Sequence, residues 1–261
     1  MPLKINFEGH DGNLLSGVLH KSKKDDNSIV ISVHGFGADK NYWIIKELSK
    51  YLDKKEIASM RFDFMGAGDS EGDVKDSTIE QMVGDLNAAV KYAKEKGYKK
   101  IAVTGHSLGG MVAIIAATLN KDVHALMLMA PAIDIRHAIK KRMDTYKHTK
   151  DGMAEVAKTK VKKSFLKNIS RHVYNEARNL KIPVLIIHGD SDKSTDIENA
   201  RKFFKKLQTV KRLVTVKNAN HHFSKRSHLD VLLKEAHKWL VKNNNIQRRV
   251  RKHESYDRGF E

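Results

Sequence analysis

The stretch Ile101-Ala102-Val103-Thr104-Gly105-His106-Ser107-Leu108-Gly109-Gly110-Met111-Val112-Ala113-Ile114-Ile115 limits what this chain can fold into more than any other. A short β-rich apolar run meets Gly-x-Ser-x-Gly, and an apolar helix-forming segment follows. A strand that turns so sharply into a helix lifts the central serine above the carboxyl edge of a sheet. Gly105 and Gly109 then stand where strand and helix backbones crowd, and only a residue without a side chain fits there. Ser107 is therefore a candidate nucleophile.

The chain has 261 residues, enough for one substantial core, and a single α/β domain is expected. It has no cysteine, which excludes disulfides, thiolate zinc sites and a cysteine nucleophile. Its N-terminal residues lack the apolar stretch of a signal peptide. No run approaches the ~20 apolar residues of a membrane-spanning helix, so a cytoplasmic protein without a membrane span is the plain reading.

Along the chain, strands are expected at 3–8 and 14–20 around the Asp11-Gly12 turn, then at 28–33 and 57–62, with a helix over 41–54 between the last two. A helix follows over 78–96, with Thr78 as its cap and Gln81 three residues on. The serine turn and its helix come next, then a strand at 124–130. Later strands at 182–188 and 212–217 flank a helix over 197–207, and a last amphipathic helix covers 228–241. Strands alternating with helices predict a mostly parallel central sheet covered on both faces. Residues 1–242 thus read as one domain, with an insertion at about 131–182 expected to be a mostly helical cap. Residues 243–261 read as a charged, exposed tail.

A serine hydroxyl needs a base to take its proton and a carboxylate to orient that base. In an open α/β sheet the partners should lie in loops at the carboxyl ends of strands. Two loops qualify, Gly189-Asp190-Ser191-Asp192 and Asn218-Ala219-Asn220-His221-His222-Phe223. Asp190, Asp192 and Asp196 compete for the acid, and His221 and His222 for the base.

Four blocks resemble the α/β-hydrolase superfamily: His34-Gly35-Phe36-Gly37, Asp63-Phe64-Met65-Gly66-Ala67-Gly68-Asp69-Ser70, Gly105-His106-Ser107-Leu108-Gly109-Gly110, and the acid and base loops. Arg61-Phe62-Asp63-Phe64 and the His-x-Phe-Ser ending are most similar to the small cinnamoyl and feruloyl esterase group. The resemblance implies an α/β-hydrolase fold with a small helical cap insertion. It makes Ser107 the nucleophile, His221 the base and Asp192 the orienting acid, with the backbone N–H groups of Phe36 and Leu108 as the oxyanion hole. Asp63 is read as loop architecture, His34 and His106 as residues that orient loops, and His188 as a strand end.

The expected function is a serine hydrolase that cleaves carboxylic esters, short-chain or aromatic in the acyl part, through an acyl-enzyme. A thioesterase, lactonase or peptidase would use the same triad. No cofactor or metal is expected, because no His/Asp/Glu cluster has metal spacing and Gly66-Ala67-Gly68 lacks a phosphate-cradling pattern. The net charge of +18 raises a rival reading, a basic binding protein on a retired hydrolase scaffold. The basic residues are spread along the chain, so a solvated lysine-rich surface is favoured and nucleic acid is not expected as a partner. A small-molecule ester is the expected partner, and the chain should be a monomer or homodimer. Residues 131–182 hold fourteen Lys or Arg against five Asp or Glu, which would favour anionic substrates if the cap lines the pocket. Tyr146, Phe165 and Tyr174 are candidates for the pocket wall.

Overall fold

The computed structural model describes residues 2–22, 27–136, 153–156, 159–162, 165, 168 and 170–243. The β-branched run Ser28–Val33 forms strand β3, buried at every position. Ile29, Ile31 and Val33 join one core cluster, and Val30 joins the other. Burial on both faces explains why the strand reads as a continuous apolar run rather than an alternation.

Eight strands make the sheet: β1 (Leu3–Glu8), β2 (Leu14–His20), β3, β4 (Ala58–Phe62), β5 (Lys100–His106), β6 (Val123–Met129), β9 (Val184–Gly189) and β10 (Lys211–Val216). Their spatial order is β1-β2-β4-β3-β5-β6-β9-β10. β1 and β2 form an antiparallel hairpin and β2 runs antiparallel to β4, while every pairing from β4 to β10 is parallel. The hairpin turns at Gly12, whose φ of +80° is open to glycine at no steric cost.

Helices α1 (Trp43–Lys54) and α5 (Arg226–Asn243) cover one face. There Ile44, Leu48, Leu52, Leu232, Leu233 and Trp239 pack on Val30, Ala102, Met127 and Ile187. Helices α2 (Ile79–Glu95), α3 (Leu108–Leu119) and α4 (Ile197–Lys206) cover the other. α2 begins as the sequence predicts, with Thr78 Oγ1 accepting from Gln81 N at 3.0 Å. α3 lies at the middle of the sheet and is buried nearly all round, which its unbroken apolar sequence requires.

The insertion at 131–182 was expected to be mostly helical. Among the described residues it has helical backbone at Arg136, Phe165 and Asn168, an antiparallel hairpin, β7 (Met153–Val156) with β8 (Thr159–Lys162), and a 3₁₀ turn at Glu176–Arg178. Tyr146 and the tail beyond Asn243 lie outside the described residues. None of the described helices is long and apolar enough to cross a membrane.

Candidate active site

The parallel strands β3, β5, β9 and β10 end on one rim of the sheet, and their following loops carry the predicted site residues. At the end of β5 the chain turns through Ser107 with φ 54° and ψ −119°, a left-handed backbone rarely held by a residue with a side chain. The turn is this tight because nothing occupies its inside: a Cβ on Gly105 would stand 2.2 Å from Gly109 O, and one on Gly109 would stand 2.4 Å from His34 O. A Cβ on Gly35 would come within 3.1 Å of Ser107 Cβ, so the loop after β3 runs directly beside the serine. Ser107 is partly exposed while its neighbours are buried.

Neither the Phe36 N–H nor the Leu108 N–H has an acceptor among the described residues. Leu108 is the first residue of α3, where amide groups have no partner within the helix and the helix dipole is positive.

His221 Nδ1 lies 2.7 Å from Asp192 Oδ2. The carboxylate can only accept, so Nδ1 carries the proton that faces it. Asp192 has a fully buried side chain. Its Oδ1 accepts from Ser194 N at 2.7 Å and Thr195 N at 2.9 Å, and its Oδ2 also accepts from Thr195 Oγ1 at 2.9 Å. Burial alone would raise its pKa, but hydrogen bonds from His188, His221 and the Thr195 amide outweigh that and hold it far below the ordinary carboxylate range.

The rival acids are engaged elsewhere. Asp190 Oδ1 accepts from Asn218 N at 2.6 Å and ties the loops after β9 and β10 together, while Asp196 caps α4 through Glu198 N at 2.9 Å. The rival base, His222, meets Tyr42 OH at 2.6 Å through its Nδ1. Burial pushes the Tyr42 phenol up to about 12, so the hydroxyl donates and the imidazole accepts.

Sequence reasoning missed several neighbours. Trp43 Nε1 donates to His222 O at 2.8 Å, and His106, which the sequence already marks as a loop-orienting residue, donates from Nε2 to His221 O at 3.0 Å, so two ring N–H groups hold consecutive carbonyls of the loop after β10. Thr195 was also unforeseen. Its signal is the spacing Asp-x-x-Thr, in which a hydroxyl three residues on can return to the carboxylate.

Asp63 acts as architecture. Fully buried, it accepts from Lys40 N at 2.5 Å and Asp69 N at 2.9 Å and pairs with Lys40 Nζ, which also reaches Asp69 at 2.6 Å. His34 joins the same region: its Nδ1 donates to Gly35 O at 2.9 Å and its Nε2 accepts from Phe64 N at 3.3 Å. Desolvation lowers its pKa and keeps the ring neutral, as that accepting nitrogen needs.

Between these two loops lies a cavity of about 220 Å³ walled by Phe36, Phe64, Met65, Val74 and Met82. Phe165 packs on Phe36 in a tilted arrangement with ring centroids 5.2 Å apart, whereas Tyr174 donates to Asn199 Oδ1 at 2.7 Å. No group of three or more His, Asp or Glu suited to a metal occurs among the described residues.

Comparison with known proteins identifies the fold and the family. In sequence, polyketide transferase grgF from Penicillium sp is 31% identical over 134 residues, 50% of this chain and 45% of that protein. Uncharacterized protein YfhR of Salmonella typhi is 24% identical over 226 residues, 83% of this chain and 73% of that protein. The chain spans less than half the length of several curated relatives it matches. In structure, Est1E from Butyrivibrio proteoclasticus with bound ferulic acid superposes with a TM-score of 0.79 at 24% identity, covering 91% of this chain and 98% of that one. The fold is therefore that of the α/β hydrolases. A profile of the family described as serine aminopeptidase, S33 matches residues 24–168 and 144–225. With the greater part of its length matched and the serine turn inside the match, the chain belongs to this hydrolase family.

Proposed function

We propose that the protein is a serine esterase in which Ser107 attacks the ester carbonyl, His221 takes its proton and returns it to the leaving alcohol, and Asp192 orients and supports the imidazole. The acyl-enzyme on Ser107 is then attacked by water with His221 again as base. The Phe36 and Leu108 amides meet the negative charge that develops on the carbonyl oxygen, and each donor contributes about 3 kcal/mol.

The observation that carries this reading is the buried 2.7 Å contact between His221 Nδ1 and Asp192 Oδ2, at the same sheet rim as a serine in a strained turn. The cavity beside Phe36 supports a small acyl group, short-chain or aromatic, because its walls are mainly apolar and its volume is that of a short acyl chain or a single ring.

The name of the fungal relative supports a second reading, acyl transfer, in which an alcohol or amine rather than water resolves the acyl-enzyme. Both begin with the same covalent step.

The test is p-nitrophenol release from acetate, butyrate, octanoate and ferulate esters, with and without an added alcohol, beside Ser107→Ala and a fluorophosphonate label. The expected result is a stoichiometric burst, label on Ser107 and a fall in kcat of roughly 10⁶ in the variant. A new ester formed from the alcohol at the expense of free acid selects acyl transfer. Folded protein with neither turnover nor labelling rejects both readings.

A further inference from the structure

His188 is out of place in its strand. β9 is otherwise a buried apolar run, Val184-Leu185-Ile186-Ile187, and His188 sits at its carboxyl end with a fully buried side chain. Its Nε2 faces two oxygens that can only accept, Thr195 O at 3.1 Å and Asp192 Oδ2 at 3.2 Å, and its one proton is shared between them. Nε2 therefore carries the proton. Nδ1 is buried and has no partner among the described residues, so a proton there would be stranded. A buried imidazole with one nitrogen unsatisfied is a poor way to fill a core.

Resting on the proposed roles of Asp192 and His221, we propose that His188 is a positioning residue: it shares the negative charge of Asp192 with His221 and so sets how strongly the acid supports the base. Asp192 Oδ2 lies within reach of three donors, His221 Nδ1, Thr195 Oγ1 and His188 Nε2, from the ends of two strands and the turn between them. The other groups facing this cluster are His106, whose ring centroid is 4.8 Å from that of His221, and His222 at 5.2 Å. Among the described residues Asp192 pairs with His188 and His221 and with no Lys or Arg, so its charge is apportioned among imidazoles, a hydroxyl and backbone amides. The more of it His188 and Thr195 draw, the less remains to stabilise a cation on His221. The base then stays free to accept a proton in more acidic solution. His188 also holds the carbonyl of Thr195, whose amide and hydroxyl both bind Asp192, so the same ring fixes the direction of the carboxylate.

The experiment compares the full chain with His188→Phe, which keeps a ring and removes the donor, and His188→Gln, whose amide nitrogen can stand where Nε2 stood. In His188→Phe the acid limb of kcat/KM on p-nitrophenyl acetate should move to higher pH by about half to one unit. The proton NMR signal of the Asp192–His221 hydrogen bond should move further downfield, and His188→Gln should restore both. Should His188→Phe not fold, His188→Asn, too short to reach Asp192, serves as the donor-free variant. An unmoved acid limb with an unmoved signal, or a loss of the same factor at every pH, overturns the proposal, as does His188→Gln behaving like His188→Phe. If the wild type turns over no ester, the esterase reading falls, yet the NMR comparison still decides what His188 does to Asp192.

Discussion

His106 and His221 are joined by a hydrogen bond from the ring of one to the backbone of the other, Nε2 to O at 3.0 Å, across 115 residues of chain. The residue before the serine thus fixes the height of the loop that carries the proposed base. Removing this donor while keeping a ring, as in His106→Phe, should lower kcat about tenfold with KM nearly unchanged, because it loosens the placement of the base rather than substrate binding. Steady-state kinetics decide it; a change confined to KM would contradict the assignment.

The same ring predicts how stability depends on acid. Burial, reinforced by the neighbouring His221, lowers the pKa of His106 from 6.5 to about 3. A histidine depressed in the folded state binds its proton more readily once the chain unfolds. Its stabilising contribution is therefore complete above pH 6.5 and is lost progressively as pH falls towards 3. At pH 5 this one group has forfeited about 2 kcal/mol. Urea unfolding at pH 7 and pH 5 should show a shallower decline for His106→Phe than for wild type, and parallel declines would refute the linkage.

Ser107 should be replaceable in two thermodynamically different ways. Both Ser107→Ala and Ser107→Gly should be inactive, but only glycine accepts φ 54° and ψ −119° without strain. The glycine variant should be the more stable by about 1 kcal/mol in denaturant titration. Equal midpoints would mean the turn is relaxed.

Lys40 and Asp63 form an ion pair with both side chains shielded from water. Asp63→Asn should destabilise by about 3 kcal/mol, since it leaves Lys40 with only the exposed Asp69 and weakens the anchor of the loop that carries Phe36. Adding Lys40→Met to that variant should recover part of the loss, measured as a double-mutant cycle. Simple additivity would show that the two residues do not act as a pair.

If the cavity beside Phe36 receives the acyl group, filling it should narrow the substrate range. Met82 lines that cavity from α2. Met82→Trp should lower kcat/KM for the octanoate ester relative to acetate by at least about tenfold. An unchanged ratio would place the acyl chain elsewhere.

Most of the sheet could be read in advance because its strands are buried on both faces and leave β-branched runs such as Ser28–Val33 and Val184–Ile187 bounded by glycine-bearing loops. The cap of α2 was likewise visible in Thr78 and Gln81. Tyr42 and Trp43 were not. Apolar spacing counts the Trp43 ring towards the helix α1, passes over Tyr42 just before it, and says nothing of the hydroxyl and indole N–H that reach His222, 180 and 179 residues away. The β7–β8 hairpin was hidden for another reason. Met153-Ala154-Glu155-Val156 is only four residues long, shows no apolar–polar alternation, and lies in a stretch whose charge dominates any reading of pattern.

The parallel strands place their reactive loops at one rim, and the opposite rim carries its own demanding turns. Asn27 precedes β3, Glu56 lies between α1 and β4, and Gly97 between α2 and β5, all with positive φ, at 51°, 56° and 91°. None of these residues touches Ser107, Asp192 or His221 through the contacts described. Turnover and chain reversal are therefore written on opposite edges of one sheet. Substitutions that retune chemistry and those that retune folding can accumulate in this protein with little interference, and Gly97, around which a Cβ would find nothing within 4 Å, is a natural place to splice in a foreign segment.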